Sequence, residues 1–296
     1  MISIAMATYN GARFIREQID SILKQTIQDF ELVICDDCST DETWDILQDY
    51  KKVDGRLRIY RNEMNLGYIR NFERAMTLCA GDYIALSDQD DIWYPYHLEV
   101  LKNNIGDNML ICAEEDLIKI RGERLNMTIG YQQRLDRKPK CLYDFAMTSF
   151  YYRSPWMGAV MMMKKDFLPI ALPIPEDAHN HDSWFSLLSC FYGGFKYVDI
   201  PISQFRQHGN NASGKRFHRK RNPVLVVLSR IFTPIKHSDR PVFVSTILQR
   251  IPNLSKKEIR LLSMVRLYYR RNKTFVGRIK NALFEIQNFR IIYTYK

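Results

Sequence analysis

Four short stretches hold the residue types that could do chemistry. Asp88-Gln89-Asp90-Asp91 comes directly off an apolar run and stands before Ile92-Trp93. Adjacent carboxylates repel one another and stay solvated unless a cation sits among them. A hard divalent ion such as Mg2+ or Mn2+ takes one or two carboxylates and completes its shell with water and phosphate oxygens, so the cluster suits a metal–diphosphate complex. The alternative is an acidic loop that caps the next helix, and the cluster alone does not choose. In the second stretch, Asp36-Asp37 could accept hydrogen bonds from a nucleobase imide or ribose hydroxyls, with Tyr9 stacked on the base and Arg70 on phosphate. Each of these is also an ordinary polar strand end. In the third, His181-Asp182 opens an apolar helix. A carboxylate at a helix N-terminus lies in a positive field that keeps it ionised, and an ionised Asp serves as general base once a substrate hydroxyl comes within reach. Simple N-capping by Asp182 competes with that reading. The fourth, Arg206-Gln207-His208, offers a phosphate partner in Arg206 and a metal ligand or diphosphate contact in His208; a surface cationic pair is the other reading.

The elements that must position these residues alternate. Apolar runs at residues 2–7, 30–35, 57–60, 83–87 and 109–113 predict strands, and residues 14–23, 40–50, 69–80 and 98–103 predict helices between them, the second capped by Ser39 or Thr40. Strands separated by helices mean right-handed βαβ units and a mostly parallel sheet. In such sheets ligands bind outside the carboxyl ends of the strands. Thr8-Tyr9-Asn10-Gly11, Asp36-Asp37 and the Asp88–Asp91 cluster all fall at those ends. Residues 114–156 read as irregular, with a short helix near 142–148. A strand at 157–164 follows, its three Met as core filler, then a Pro-marked loop, an apolar helix at 184–192 ended by Gly193-Gly194, a strand at 195–199 and a polar loop at 209–214.

Composition narrows the class. Of 296 residues 46% are hydrophobic and 12% aromatic, which excludes a disordered chain. No stretch approaches the roughly 20 apolar residues of a membrane span, and no basic n-region precedes an apolar segment, so the expectation is a chain kept in the cytosol. Six Cys then read as reduced thiols, and Cys35-Asp36-Asp37-Cys38 as incidental C-x-x-C spacing. Charge divides the chain: residues 1–214 carry 23 Lys+Arg against 30 Asp+Glu, residues 215–296 carry 20 against 3. That basic region contains the cluster Lys215, Arg216, His218, Arg219, Lys220, Arg221 and amphipathic candidates at 223–235 and 258–271. Such helices can lie in an anionic membrane interface. Alternatively they pack on the body and show their charges to water. No nucleic-acid-binding motif accompanies the charge, so no nucleic acid is expected.

In order and at these spacings, the clusters resemble the family 2 glycosyltransferases of GT-A fold. The matching residues are Ala7–Gly11, Ser21–Thr26, Glu31–Asp41, Asn65-Leu66-Gly67, Gly81–Ile84, Asp88–Trp93, His181–Trp184 and Arg206–Asn210. The Asp-Gln-Asp-Asp-Ile-Trp form with the Arg-Gln-His-Gly-Asn ending looks most like the bacterial rhamnosyltransferase-like branch that builds surface polysaccharides. The resemblance implies an α/β fold: a GT-A (Rossmann-like) domain over 1–214, with a nucleotide-binding half to 113 and an acceptor half beyond it. A basic helical extension over 215–296 follows. It implies inverting, metal-dependent transfer from dTDP-L-rhamnose or a UDP-sugar to a glycan hydroxyl, or a lipid-linked glycan, at the inner face of the cell membrane. Tyr9 then stacks on the base, with Thr8 and Asn10 beside it. Asp37 reads the imide, next to Asp36, and Arg70 contacts phosphate. Asp88 and Asp90 are the ends of the D-x-D motif, Asp90 the direct ligand of Mg2+ or Mn2+. Asp182 is the base, and His208, with Arg206, completes the metal and diphosphate site. Cys38 departs from the Gly or other small residue that many members carry. Oligomerisation is left open. A basic nucleic-acid-binding protein with a merely structural acidic half is the rival of another class.

Overall fold

The computed structural model describes residues 1–119, 123–128, 157–176, 178, 180–208 and 240–287. The expected helix near 142–148, the loop at 209–214, the basic cluster at 215–221 and the apolar run at 223–235 lie outside these residues. Contacts divide the chain into two compact units. The first comprises 1–130, 156–174 and 195–215; the second comprises 131–155, 175–194 and 216–296. Residues 175–194 therefore group with the C-terminal region, not with the sheet they adjoin in sequence.

The first unit is built on one nine-stranded sheet in the order β3-β2-β1-β4-β8-β6-β9-β5, with β7 paired to β6. Its strands are β1 (Ile2–Thr8), β2 (Phe30–Asp36), β3 (Leu57–Arg61), β4 (Tyr83–Ser87), β5 (Ile92–Trp93), β6 (Leu110–Lys119), β7 (Arg124–Thr128), β8 (Met161–Lys164) and β9 (Phe195–Gln207). Helices α1 (Ile15–Leu23), α2 (Thr43–Val53), α3 (Tyr68–Thr77) and α4 (His97–Asn104) connect or follow the first strands, and α5 (Leu168–Ala171) follows β8. Pairing is parallel through β3, β2, β1 and β4, and between β6 and β9; β8 and β5 run against their neighbours. β1 and β2 are buried along almost their whole length, as parallel strands covered on both faces must be. Met161, Met162 and Met163 are core filler as expected, all fully buried.

The structure departs from the sequence reading where charged residues are buried. Residues 114–119, expected to be irregular, continue β6. Glu114-Glu115-Asp116 read as a loop, but the hydroxyls of Tyr197, Ser203 and Tyr94 donate to their carboxylates. Likewise β9 does not stop at 199. It passes Pro201 by shifting register against β6 and reaches Gln207, a place where a strand tolerates proline. Helix α2 starts at Thr43 with Glu42 at the N-cap position and no side-chain cap, while Ser39 Oγ donates to Asp36 and accepts from Asn10 N.

The second unit contains α6 (His181–Phe191), α7 (Arg240–Arg250), α8 (Lys256–Arg271) and α9 (Phe275–Gln287). Gly193 and Gly194 adopt positive φ and close α6, Gly194 N donating to Ser189 O at 2.9 Å. Asn180, not Asp182, holds the N-cap position of α6, without a side-chain capping bond. Trp184 is fully buried against Phe243 of α7, ring centroids 5.2 Å apart, with the Arg250 guanidinium over its ring. Ser255 and Glu258 form a capping box that starts α8. The apolar stripe of α8 (Leu261, Leu262, Val265, Tyr268) is buried against α7 and α9. That stripe is therefore taken up by neighbouring helices, and the outer face of α8 carries its cations. Among the described residues no helix is long and apolar enough to cross a membrane.

Candidate active site

The carboxyl ends of β1, β2 and β4 meet the end of β9 along one sheet edge, and side chains tie them together. Thr8 Oγ1 donates to Asp36 Oδ1 at 3.2 Å, and Asp37 N donates to Thr8 O at 2.8 Å. The turn after β1 is stitched to the turn after β2: Asn10 N donates to Ser39 Oγ at 2.9 Å, Thr40 N to Asn10 Oδ1 at 2.8 Å, and Gly11 N to Thr43 Oγ1 at 2.8 Å. Asn10 and Cys38 carry φ of +48° and +62°. That left-handed backbone favours glycine, which accounts for the small residue expected where Cys38 stands. Cys35 is buried, its thiol pushed up to about 11 by burial. Among the described residues Cys35, Cys38, Cys79, Cys112 and Cys190 form no disulfide.

The acidic residues divide into those already engaged inside and those at the edge. Asp36 is fully buried and held by Ser39, Thr8 and Arg61. Asp37 is buried too. Its Oδ1 accepts from Asn62 Nδ2 at 2.6 Å and Leu66 N at 2.8 Å, its Oδ2 from Gly67 N at 2.9 Å. It therefore fixes the Asn65-Leu66-Gly67 turn that leads into α3. A carboxylate oxygen has two acceptor positions, and Gly67 N fills one of those on Oδ2. Tyr9 presents a 45% exposed ring at the same edge. Arg70 on α3 bonds Glu73 at 2.5 Å and Ile174 O at 2.9 Å and remains partly exposed.

Asp90 and His208, 118 residues apart, meet at 2.6 Å between Oδ2 and Nε2. Both side chains are mostly covered, at 15% and 9% exposure. The His208 ring packs on Phe14, centroids 4.9 Å apart, and the Arg206 guanidinium lies over the same Phe14 ring at 5.0 Å. Arg206 is only 3% exposed and bonds Glu17 at 2.7 Å. Its side chain is thus nearly covered between Phe14 and Glu17. Among the described residues no group of three or more His, Cys, Asp or Glu is placed to hold a metal ion. Asp88, Asp90 and His208 are thus not a ready-made cage, and Asp90 with His208 is the pair brought together. One carboxylate and one imidazole suit a Mg2+ or Mn2+ site that a diphosphate and waters complete. Asp182 lies in the first turn of α6, half-buried, in the second unit. Ser183 N donates to its Oδ1 at 2.6 Å.

Sequence reasoning missed the residues that hold the loops. Gln89 stands between two acids. Its Oε1 accepts from Tyr9 N at 2.9 Å and its Nε2 donates to Tyr9 O at 3.1 Å, gripping the backbone of the exposed tyrosine. A Cβ on Gly11 would meet Gln89 Oε1 at 2.2 Å, so Gly11 makes room for that grip. Glu115 is fully buried, its carboxyl pushed up to about 8, chiefly by burial and then by the nearby acids. Burial and Glu115 likewise raise Asp91 well above the usual carboxylate range.

Residues 3–162 match the family described as Glycosyl transferase family 2. The chain belongs to that family. An uncharacterized glycosyltransferase of Haemophilus influenzae is 27% identical over 80% of this chain and 77% of its own length. An Escherichia coli UDP-Glc:alpha-D-GlcNAc-diphosphoundecaprenol beta-1,3-glucosyltransferase is 37% identical over 36% of this chain and 43% of its own. A mannosyltransferase from Pyrobaculum calidifontis, solved with GDP-Man and Mn2+, superposes with a TM-score of 0.58 over 97% of this chain and 75% of that one, at 15% identity. The last match is one of fold, and it agrees with the GT-A architecture expected of a family 2 glycosyltransferase. The match does not single out the rhamnosyltransferase-like branch.

Proposed function

We propose that this glycosyltransferase moves a sugar from a pyrimidine nucleotide-diphospho-sugar, dTDP-L-rhamnose or a UDP-sugar, to a hydroxyl of a glycan in bacterial surface polysaccharide synthesis, with inversion. The observation that carries the reading is the Asp90–His208 pair at the same sheet edge as the exposed Tyr9 and the Asp37 carboxylate. Tyr9 stacks on the base, and Asp37 Oδ2 accepts from its imide. Thr8, Asn10 and Asp36 frame the nucleoside, Asp88 takes the ribose side, and Arg70 reaches phosphate. Asp90 and His208, with Asp88 adjoining, would hold the divalent ion, which supplies positive charge to the departing diphosphate. Arg206 supports them from the wall. Asp182 takes the proton of the acceptor hydroxyl as that oxygen bonds to the anomeric carbon and the bond to diphosphate breaks. One carboxylate suffices for a single displacement.

The Escherichia coli relative's UDP-Glc donor supports a UDP-hexose, and its lipid-diphosphate acceptor supports a lipid-linked glycan. The Mn2+ of the mannosyltransferase supports the divalent ion. For the basic C-terminal region, the outward face of α8 is the surface offered to an anionic inner membrane leaflet. Arg260, Arg266 and Arg270 are exposed there beside exposed Ile259 and Leu267.

Calorimetry with UDP- and dTDP-sugars, with and without Mn2+, tests the donor site. Binding is expected to depend on Mn2+ and to be lost in Asp90→Ala; unchanged binding by that variant overturns the metal assignment. Asp182→Asn is expected to keep donor affinity and lose transfer, and a fully active variant removes Asp182 as base.

A further inference from the structure

The acidic loop after β4 and the last residues of β9 are joined by more than the pairing of β5 with β9. Arg206 N donates to Asp91 Oδ1 at 3.2 Å, and Arg206 Nε donates to Asp90 O at 3.2 Å. The same guanidinium reaches Glu17 Oε2 on α1 at 2.7 Å and covers one side of Phe14, against which His208 packs. Gln18, its amide turned so that nitrogen donates to Asp91 O at 2.7 Å and oxygen accepts from Trp93 Nε1 at 3.2 Å, secures the loop from below. Asp91 itself is fully buried, and its Oδ2 has no hydrogen-bond partner among the described residues. A buried carboxylate with one oxygen unpaired is costly. Its other oxygen, Oδ1, accepts from the main-chain N–H two residues before His208.

We propose that Asp91 is a positioning residue: with Arg206 and Glu17 it forms a brace that sets the Asp90–His208 separation, and so the affinity of that pair for a divalent ion. Asp91 touches neither ion nor donor. It acts through Arg206, whose backbone fixes where β9 ends and whose guanidinium fixes Phe14 behind the His208 ring. Groups that orient metal ligands typically change affinity by roughly 10–100-fold when removed. The inference rests on the metal reading of Asp90 and His208 given above.

The test is Mn2+ titration followed by electron paramagnetic resonance, with UDP or dTDP present, on the full chain. Asp91→Ala is expected to weaken Mn2+ binding at least tenfold, whereas Asp91→Asn, which keeps an oxygen facing Arg206 N, stays within about threefold of the parent chain. Affinity for Mn2+ unchanged in Asp91→Ala overturns the brace, provided Asp90→Ala abolishes binding. If Asp90→Ala also leaves binding intact, the metal reading fails and the brace falls with it. Equal losses in Asp91→Ala and Asp91→Asn also overturn the brace, since they would point to a role for the charge and not for the hydrogen bond. Should Asp91→Ala not fold, Glu17→Gln decides: its side chain is 56% exposed, so folding is little disturbed. Mn2+ affinity reduced severalfold supports the brace and unchanged affinity refutes it.

Discussion

The two units spend their charged residues in opposite ways. In the sheet unit, carboxylates are drawn inward and bound to particular donors: Asp36 by Ser39 and Thr8, Asp37 by Asn62, Leu66 and Gly67, Glu31 by Ser3, Ala80 and Arg58. In the helical unit, the apolar stripe of α8 is buried and its cations face water. A charge with fixed partners holds a loop at a defined place, and that is what a ligand site needs. A charge in water keeps its hydration and contributes little to the fold. Substitutions in the sheet unit should therefore act on chemistry and ligand affinity. Substitutions on the outer face of the helices should act only on association with a surface.

The largest effect expected is that of the proposed base. Asp182→Asn should lower transfer by about 10²- to 10⁴-fold, the usual range for loss of a general base, with donor binding retained by calorimetry. Asp182 lies in the helical unit, so this variant also tests how far the contrast extends. A loss of that size shows one side chain of the unit committed to the reaction while its cations are not. Next comes Trp184→Ala, deep in the same unit against Phe243. Truncation of a buried tryptophan should destabilise by about 3–5 kcal/mol, read by chemical denaturation, with the transition of the sheet unit least affected.

Glu115 gives a pH signature confined to the sheet unit. Its folded carboxyl is pushed up to about 8 from the ordinary 4.5, burial being the chief cause. Between those values the unfolded chain has released the proton that the folded chain keeps. Stability of the metal-free protein should therefore fall as pH rises from about 5 to 8, with a slope from Glu115 of at most about 1.4 kcal/mol per pH unit. Thermal melts in EDTA across that range read it. Glu115→Gln, which still accepts from Ser203, should flatten the slope; an equally steep slope in that variant assigns it elsewhere. Gly11→Ala should act more mildly. The added Cβ displaces Gln89 from the Tyr9 backbone, and KM for the donor should rise severalfold. The double change with Gln89→Ala should do no further harm, because the obstructed side chain is gone.

What the sequence makes legible follows the same division. The strands β1, β2 and β4 and their polar ends are readable because each strand is mostly apolar and each is followed by a polar cluster, while β3 alternates buried Leu57 and Ile59 with Arg58 and Tyr60. Tyr9, Asp37 and Asp90 fall where that pattern places them. The partnership of Asp90 with His208 is not readable from periodicity, since it joins residues 118 apart; only the resemblance links them. Glu114-Glu115-Asp116 and the end of β9 are misread because acids and a proline within a strand argue for a loop until their buried hydroxyl partners are known. Gln89 is silent because a glutamine that grips backbone has no spacing signature. Helix α8 is legible as amphipathic, but an apolar stripe fits a neighbouring helix as well as a lipid surface, and the neighbours α7 and α9 take it.

The smallest effect on the reaction, and the sharpest test of the contrast, comes from the outer face of α8. Arg260→Glu with Arg266→Glu changes two exposed side chains whose charges face water. Stability should move by no more than about 0.5 kcal/mol, and transfer to a water-soluble acceptor should stay within about twofold of the parent chain. Binding to vesicles containing anionic phospholipid is different, because each cation near such a surface contributes roughly 1 kcal/mol. Two reversals should lower flotation with those vesicles by well over tenfold, and the parent chain should lose the same binding as salt is raised. Undiminished flotation removes this face as the membrane contact. A fall in transfer to the soluble acceptor would break the contrast itself, since it would show that the water-facing charges of the helical unit serve the site directly.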